Sequence, residues 1–210
     1  MNVPNDFCSR PLSVVFIKPQ ELVRIFRPPL SGANSAIYYS RHSVNRFDAP
    51  KTLPESARFG VTYAAFDLAT CFAETITRED NRRDLRLGGI AVSESVQITT
   101  RMVANLSATT LLRLVDVSDV GLYMIGAESG TFNSPIYRDT TQPWAAAIYE
   151  RPEQVDGLLY RSRFLNGRFA VAIFERGGHR VGLYSRSTTA LSEHADYPKT
   201  LSDLRVCLLP

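Results

Sequence analysis

A chain of 210 residues can bury one sizeable core and is too short for two full domains. Its 44% hydrophobic and 21% charged residues exclude the disordered and collagen-like classes. The formal net charge of +3 is almost wholly arginine, because Lys18, Lys51 and Lys199 are the only lysines. With acidic residues interleaved, that surplus is a poor electrostatic footprint for nucleic acid.

Cys8, Cys71 and Cys207 are widely spaced and odd in number, which argues against a disulfide scaffold and for a reducing compartment. The first residues lack the basic and apolar regions of a signal peptide, and the apolar run 12–17 is too short to span a bilayer. The expected location is the cytoplasm, away from membranes. His42, His179 and His194 fall at no metal-ligand spacing, so no metal is expected. There is neither a Walker A sequence nor a GxGxxG after a strand.

In chain order, residues 1–20 hold three prolines and no clear period, and read as an arm or edge element. Residues 21–26 form a short strand stopped by Pro28 and Pro29. The Ser-, Asn-, Pro- and Ala-rich stretch to residue 59 predicts a long ordered loop, the kind of segment that carries function. Residues 60–66 suit a strand, and Asp67 stands where a helix N-cap belongs. Leu68, Cys71, Phe72 and Ile76 then recur at helical spacing, making Cys71 a core residue rather than a nucleophile. Glu74 lies at the edge of that apolar face, with Arg78 one turn on as a solvated partner.

Residues 79–86 read as a charged turn, and 96–103 and 110–117 as strands. A helical turn is expected at 121–126 and a helix at 140–150, ended by Pro152. Apolar runs 157–163 and 169–175 flank Asn166-Gly167, the strongest short hairpin signal in the chain. Leu158, Tyr160 and Ser162 share one face of the first run, so a hydroxyl ends a row aimed at the core. A last strand is expected at 179–185, followed by a Ser-rich tail.

Four of these segments, in order, resemble the RES domain family, named for a shared arginine, glutamate and serine. They are Asn45-Arg46-Phe47-Asp48; the strand-to-helix piece Val61-Thr62-Tyr63-Ala64 with Phe72-Ala73-Glu74; Leu114-Val115-Asp116 with the downstream Trp144 helix; and Asp156-Gly157-Leu158-Leu159-Tyr160-Arg161-Ser162. The resemblance implies a single α+β domain with a mixed β-sheet core like that of ADP-ribosyltransferase toxins. It divides the chain into an N-terminal arm (1–20), a catalytic domain (21–176) and a C-terminal extension packing on it (177–210).

The function it implies is that of a toxin in a bacterial toxin–antitoxin pair. Such a toxin cleaves the nicotinamide–ribose bond of NAD+ by hydrolysis or phosphorolysis, with NAD+ as substrate and no cofactor. The implied catalytic residues are Arg46, Glu74 and Ser162, with Tyr63 and Arg46 binding substrate; Arg24, Arg27 and Arg41 are further candidates for the arginine. A carboxylate suits an oxocarbenium-like ribose, a guanidinium a pyrophosphate, a phenol ring a flat base, and a hydroxyl the carboxamide or a ribose hydroxyl. The implied partner is an antitoxin with a helix-turn-helix part, bound as a hetero-oligomer. Transfer of ADP-ribose to a protein is the alternative chemistry, and a non-catalytic interaction module the alternative of another class.

Overall fold

The two apolar runs around Asn166-Gly167 pair as an antiparallel hairpin, β8 (Gly157–Arg161) and β9 (Phe169–Phe174), in the middle of the main sheet. Their two-residue alternation is buried on both faces. In β9, Ala170, Ala172 and Phe174 join one hydrophobic cluster, while Val171 and Ile173 join the cluster on the other side. The computed structural model describes residues 2–28, 36–77, 83–84, 88–128 and 130–210.

The remaining strands of that sheet are β1 (Val14–Ile17), β2 (Leu22–Phe26), β3 (Val61–Ala65), β6 (Met102–Ser107), β7 (Leu112–Asp116) and β10 (Tyr184–Ala190). Their order is β1-β7-β8-β9-β3-β2-β6-β10, antiparallel throughout except for the parallel pair β7–β8. Between β7 and β8 the chain passes through α2 (Asp119–Ile125) and α3 (Thr141–Tyr149), as a parallel connection requires. A second sheet joins β4 (Arg83–Asp84), β5 (Gly89–Ser93) and β11 (Val206–Leu209). The single α+β domain with a mixed β-sheet core expected from the sequence is therefore what forms, with residues 14–17 as an edge strand.

Helix α1 (Leu68–Phe72) starts where the cap predicts: Asp67 accepts a hydrogen bond from the Thr70 amide at 2.7 Å. All five of its residues are buried. Residues Ala73–Thr77 then continue in π-helical form, a widening of the helix frequent at functional sites. The expected partner Arg78 lies outside the described residues, as does most of the expected charged turn 79–86.

Two expected strands take another form. Glu94–Ile98 is a π-helical turn, and the strand begins only at Met102. The apolar pair Val96 and Ile98 mimics strand alternation, yet Val96 is exposed while Ile98 is buried. Residues Glu175–Val181 form α4, capped by Gly182 at φ 61°, so the last strand of the main sheet starts at Tyr184. Gly177-Gly178 looks like a helix breaker in sequence. In space, a Cβ on Gly177 would meet Asp156 Cα at 2.4 Å, so glycine there lets α4 pack on the start of β8. The tail also holds α5 (Tyr197–Asp203) and β11, the latter parallel to β5.

Gly157 sits where β8 approaches β9 too closely for a side chain: a Cβ would lie 2.1 Å from the Ala172 carbonyl oxygen. Neighbouring Asp156 is buried, accepts from the Arg113 amide and pairs with Arg180. Gly157→Ala is expected to force the central strands apart and cost about 1–3 kcal/mol. Urea unfolding of the variant checks this by its midpoint.

Candidate active site

The loop that leads into β3 has no regular secondary structure around Arg46, yet hydrogen bonds fix it at many points. Asp48, fully buried, accepts from the amides of Val44 (3.1 Å) and Asn45 (2.9 Å), the Asn45 carboxamide (3.0 Å) and the Tyr63 hydroxyl (2.9 Å). The Tyr63 oxygen in turn accepts from the Phe47 amide at 2.9 Å. From α3, the Gln142 carboxamide donates to the carbonyls of Ser43 (3.2 Å) and Asn45 (2.9 Å), and the Thr141 hydroxyl donates to that of Arg46. Phe47 is fully buried against Tyr160, with centroids 4.7 Å apart.

So held, Arg46 reaches the π-helical segment. Its Nη2 donates to Glu74 Oε2 at 3.2 Å, and its guanidinium carbon lies 5.0 Å from the Tyr160 ring centroid and 5.6 Å from that of Phe47. Among the described residues Nη1 has no acceptor, and the two ring faces stand in for one. The other Glu74 oxygen, Oε1, accepts from the Ser162 hydroxyl at 2.7 Å and from the Arg163 amide at 2.9 Å. Ser162 Oγ also accepts from the amides of Phe164 (3.2 Å) and Leu165 (3.1 Å). Three donors from two chain segments thus set the direction of one carboxylate.

Beside it opens a cavity of about 520 Å³, a size suited to a small-molecule ligand. Its lining includes Arg24, Arg27, Tyr38, Arg46, Tyr63, Glu74, Arg101 and Tyr160. Among the described lining residues there are four arginines and a single carboxylate. A second cavity, about 400 Å³, shares none of them. Arg24 gives Nη1 to the Tyr63 carbonyl at 2.9 Å and has no carboxylate partner among the described residues. Burial pulls its guanidinium below the ordinary arginine value, so an anion in the cavity would relieve a standing desolvation cost. Gln97 accepts from both Arg27 (3.3 Å) and Arg101 (2.8 Å).

Three of the four residues singled out in the sequence, Arg46, Tyr63 and Glu74, line this one cavity. Ser162 does not. It is fully buried behind Glu74, its hydroxyl spent on the carboxylate and the hairpin turn, where the sequence led us to expect contact with a ligand. Arg46 likewise is committed to Glu74 instead of standing open as a phosphate fork. Of the further arginine candidates, Arg24 and Arg27 line the cavity, and Arg41 pairs with Glu175 elsewhere. Tyr63 presents only its ring, because its hydroxyl is engaged by Asp48; burial and that neighbouring carboxylate hold the phenol well above its ordinary value.

Sequence reasoning missed Asp48 as the hub of the loop, although an Asn-x-x-Asp turn is a visible signal for it. Nothing in the sequence pointed to Tyr38, Gln97 or Arg101. No group of three or more His, Cys, Asp or Glu side chains among the described residues is placed to hold a metal ion. No helix among them is long and apolar enough to cross a membrane.

Fold and cavity together define a mixed α/β domain with one hydrogen-bonded carboxylate in an arginine-lined pocket. The RES domain model matches residues 21–198, and the chain belongs to the RES domain family. No curated protein matches it in sequence. Among solved structures it is similar in fold to a chain of the M. tuberculosis MbcT-MbcA toxin-antitoxin complex, with a TM-score of 0.58 at 13% identity, covering 97% of this chain and 98% of that one.

Cys71 packs in the core and its sulfur accepts from the Ile25 amide at 3.1 Å, while burial pushes the thiol up to about 11. The folded chain therefore keeps this proton to about 11 whereas an unfolded one releases it near 9.0, so the group withdraws stability as pH rises through that window. Iodoacetamide at pH 8 is expected to label exposed Cys8 quickly and leave Cys71 unlabelled until urea is added. Peptide mass mapping reads the difference.

Proposed function

We propose that this protein is the toxin of a toxin–antitoxin pair and that it destroys NAD+ by breaking the nicotinamide–ribose bond. The observation that carries this reading is a carboxylate locked by Arg46, Ser162 and the Arg163 amide, in the same cavity as the guanidinium of Arg24, which has no carboxylate partner among the described residues. That juxtaposition suits a ligand with a cation-forming sugar at one point and phosphates at another. Membership of the RES domain family and likeness in fold to a toxin–antitoxin complex support the cellular role.

In this scheme the C1′–N bond breaks with its electron pair leaving on nicotinamide, and the ribose passes through an oxocarbenium-like state. Glu74 stabilises that positive charge because its carboxylate is already oriented and needs no reorganisation. Ser162 and Arg46 are positioning residues for Glu74. Arg24 takes a phosphate oxygen, and the Tyr63 ring borders a flat group. Water or phosphate then adds at C1′ and loses a proton, giving ADP-ribose or its 1-phosphate. The protein acts in the cytoplasm, where a helix-turn-helix antitoxin partner binds it and covers the cavity. If an acceptor side chain of another protein enters instead of water, the same site transfers ADP-ribose.

Purified protein incubated with NAD+, with and without phosphate, is expected to release nicotinamide, measured chromatographically. Glu74→Gln keeps the shape of the side chain and is expected to lower the rate on the order of 100-fold. Ser162→Ala is expected to lower kcat more than it changes KM, since it removes one of three donors that orient the carboxylate and no direct contact to substrate. Wild-type protein that releases no nicotinamide with either acceptor overturns the reading; label from NAD+ found on protein assigns the activity to transfer.

A further inference from the structure

The aromatic residues of the cavity differ sharply in how much ring they offer. Phe26 and Tyr160 are buried, and the Tyr160 face is taken by Arg46. Tyr63 is tied by its hydroxyl to Asp48. Tyr38 lines the same cavity yet is 47% exposed, which puts an aromatic ring at the mouth. An exposed ring gains little from the core, so its conformation has to be fixed locally. The Tyr38 hydroxyl and His42 Nε2 are 3.0 Å apart, and the two rings lie at 28° with centroids 6.5 Å apart. The short segment between them is pinned to β3, because Ser40 and Val61 exchange backbone hydrogen bonds of 2.9 and 3.0 Å. Ser40 Oγ also accepts from the His42 amide at 3.4 Å.

A dinucleotide carries two flat groups. The one whose glycosidic bond breaks must lie against Glu74, whose side chain is only 15% exposed, so the second lies nearer solvent. We infer that Tyr38 is the platform on which the purine base of the nucleotide stacks at the cavity mouth, with the His42 ring packed beside it. The inference rests on the proposed NAD+ reading and deepens it: the adenosine half is held by ring contact, which any purine satisfies.

Calorimetric titration of the full-length protein with ADP and with inorganic pyrophosphate separates base from phosphate recognition. Tyr38→Ala is expected to weaken ADP binding about tenfold, in the range that a stacked base supplies, while lowering the ADP-to-pyrophosphate affinity ratio by a similar factor. Tyr38→Phe, which keeps the ring and loses the bond to His42, is expected to bind ADP within about twofold of wild type. GDP is expected to bind wild type within a few-fold of ADP. The inference is overturned if Tyr38→Ala binds ADP like wild type, if it loses ADP and pyrophosphate affinity equally, if Tyr38→Phe is as weak as Tyr38→Ala, or if GDP is rejected. Wild-type protein that binds no ADP overturns the dinucleotide reading as well, whereas ADP binding indifferent to Tyr38 overturns this inference alone.

Discussion

The Glu74 carboxylate is the point on which the loop 36–60, the π-helical segment and the β8–β9 hairpin all close. It bridges a guanidinium delivered from 28 residues upstream and a hydroxyl and amide from 88 and 89 residues downstream. A carboxylate this little exposed is costly to desolvate unless its lone pairs are matched by donors, and here both oxygens are matched. The arrangement cannot be relaxed one partner at a time: removing a donor leaves a charge in a place already prepared for it. Helix form yields to this demand. The widened turn at Ala73–Thr77 follows immediately on a regular, well-capped α1, and Glu74 is its second residue.

Rigidity in the irregular loop comes from a chain of buried hydrogen bonds that stands in for secondary structure. Asp48 gathers four donors, one of them the phenol of Tyr63 on β3, and α3 grips the same loop through Gln142 and Thr141. Each member polarises the next in a low dielectric, and an unmet member would be expensive, so the network is stable only when complete. Arg46 thereby arrives at Glu74 with its backbone already fixed. The adjacent aromatic rings serve the same end by holding the guanidinium plane.

What the sequence disclosed was whatever repeats at short range. Alternation exposed β8 and β9, the Asp67 cap exposed the start of α1, and the row Leu158, Tyr160, Ser162 was legible because a strand places every second residue on one face. Where local signals mislead, tertiary contact had decided: the strand expected from residue 179 begins instead as the end of a helix packed on Asp156 through Gly177, and Val96 with Ile98 reads as a strand until one proves exposed and the other buried. The site followed the same division. Glu74, Tyr63 and Arg46 were named from motif order, but their mutual roles depend on contacts across long stretches of chain. Arg46 is committed to Glu74 while Arg24 has no carboxylate partner among the described residues, and periodicity in β2 carries no trace of that.

Ser162 shows how narrow the chemical choice becomes at such a junction. Its oxygen must donate one hydrogen bond to Glu74 and accept two from the amides of Phe164 and Leu165 that open the hairpin turn. A hydroxyl is the smallest group with one donor and two acceptor sites. Aspartate could cap the turn but would set a second negative charge against Glu74, and alanine would strip two amides of this acceptor and the carboxylate of one donor. Threonine has the right oxygen, but at a position with no exposed surface its extra methyl has to displace packed neighbours. The hairpin turn and one of the three donors to the carboxylate therefore share a single oxygen atom.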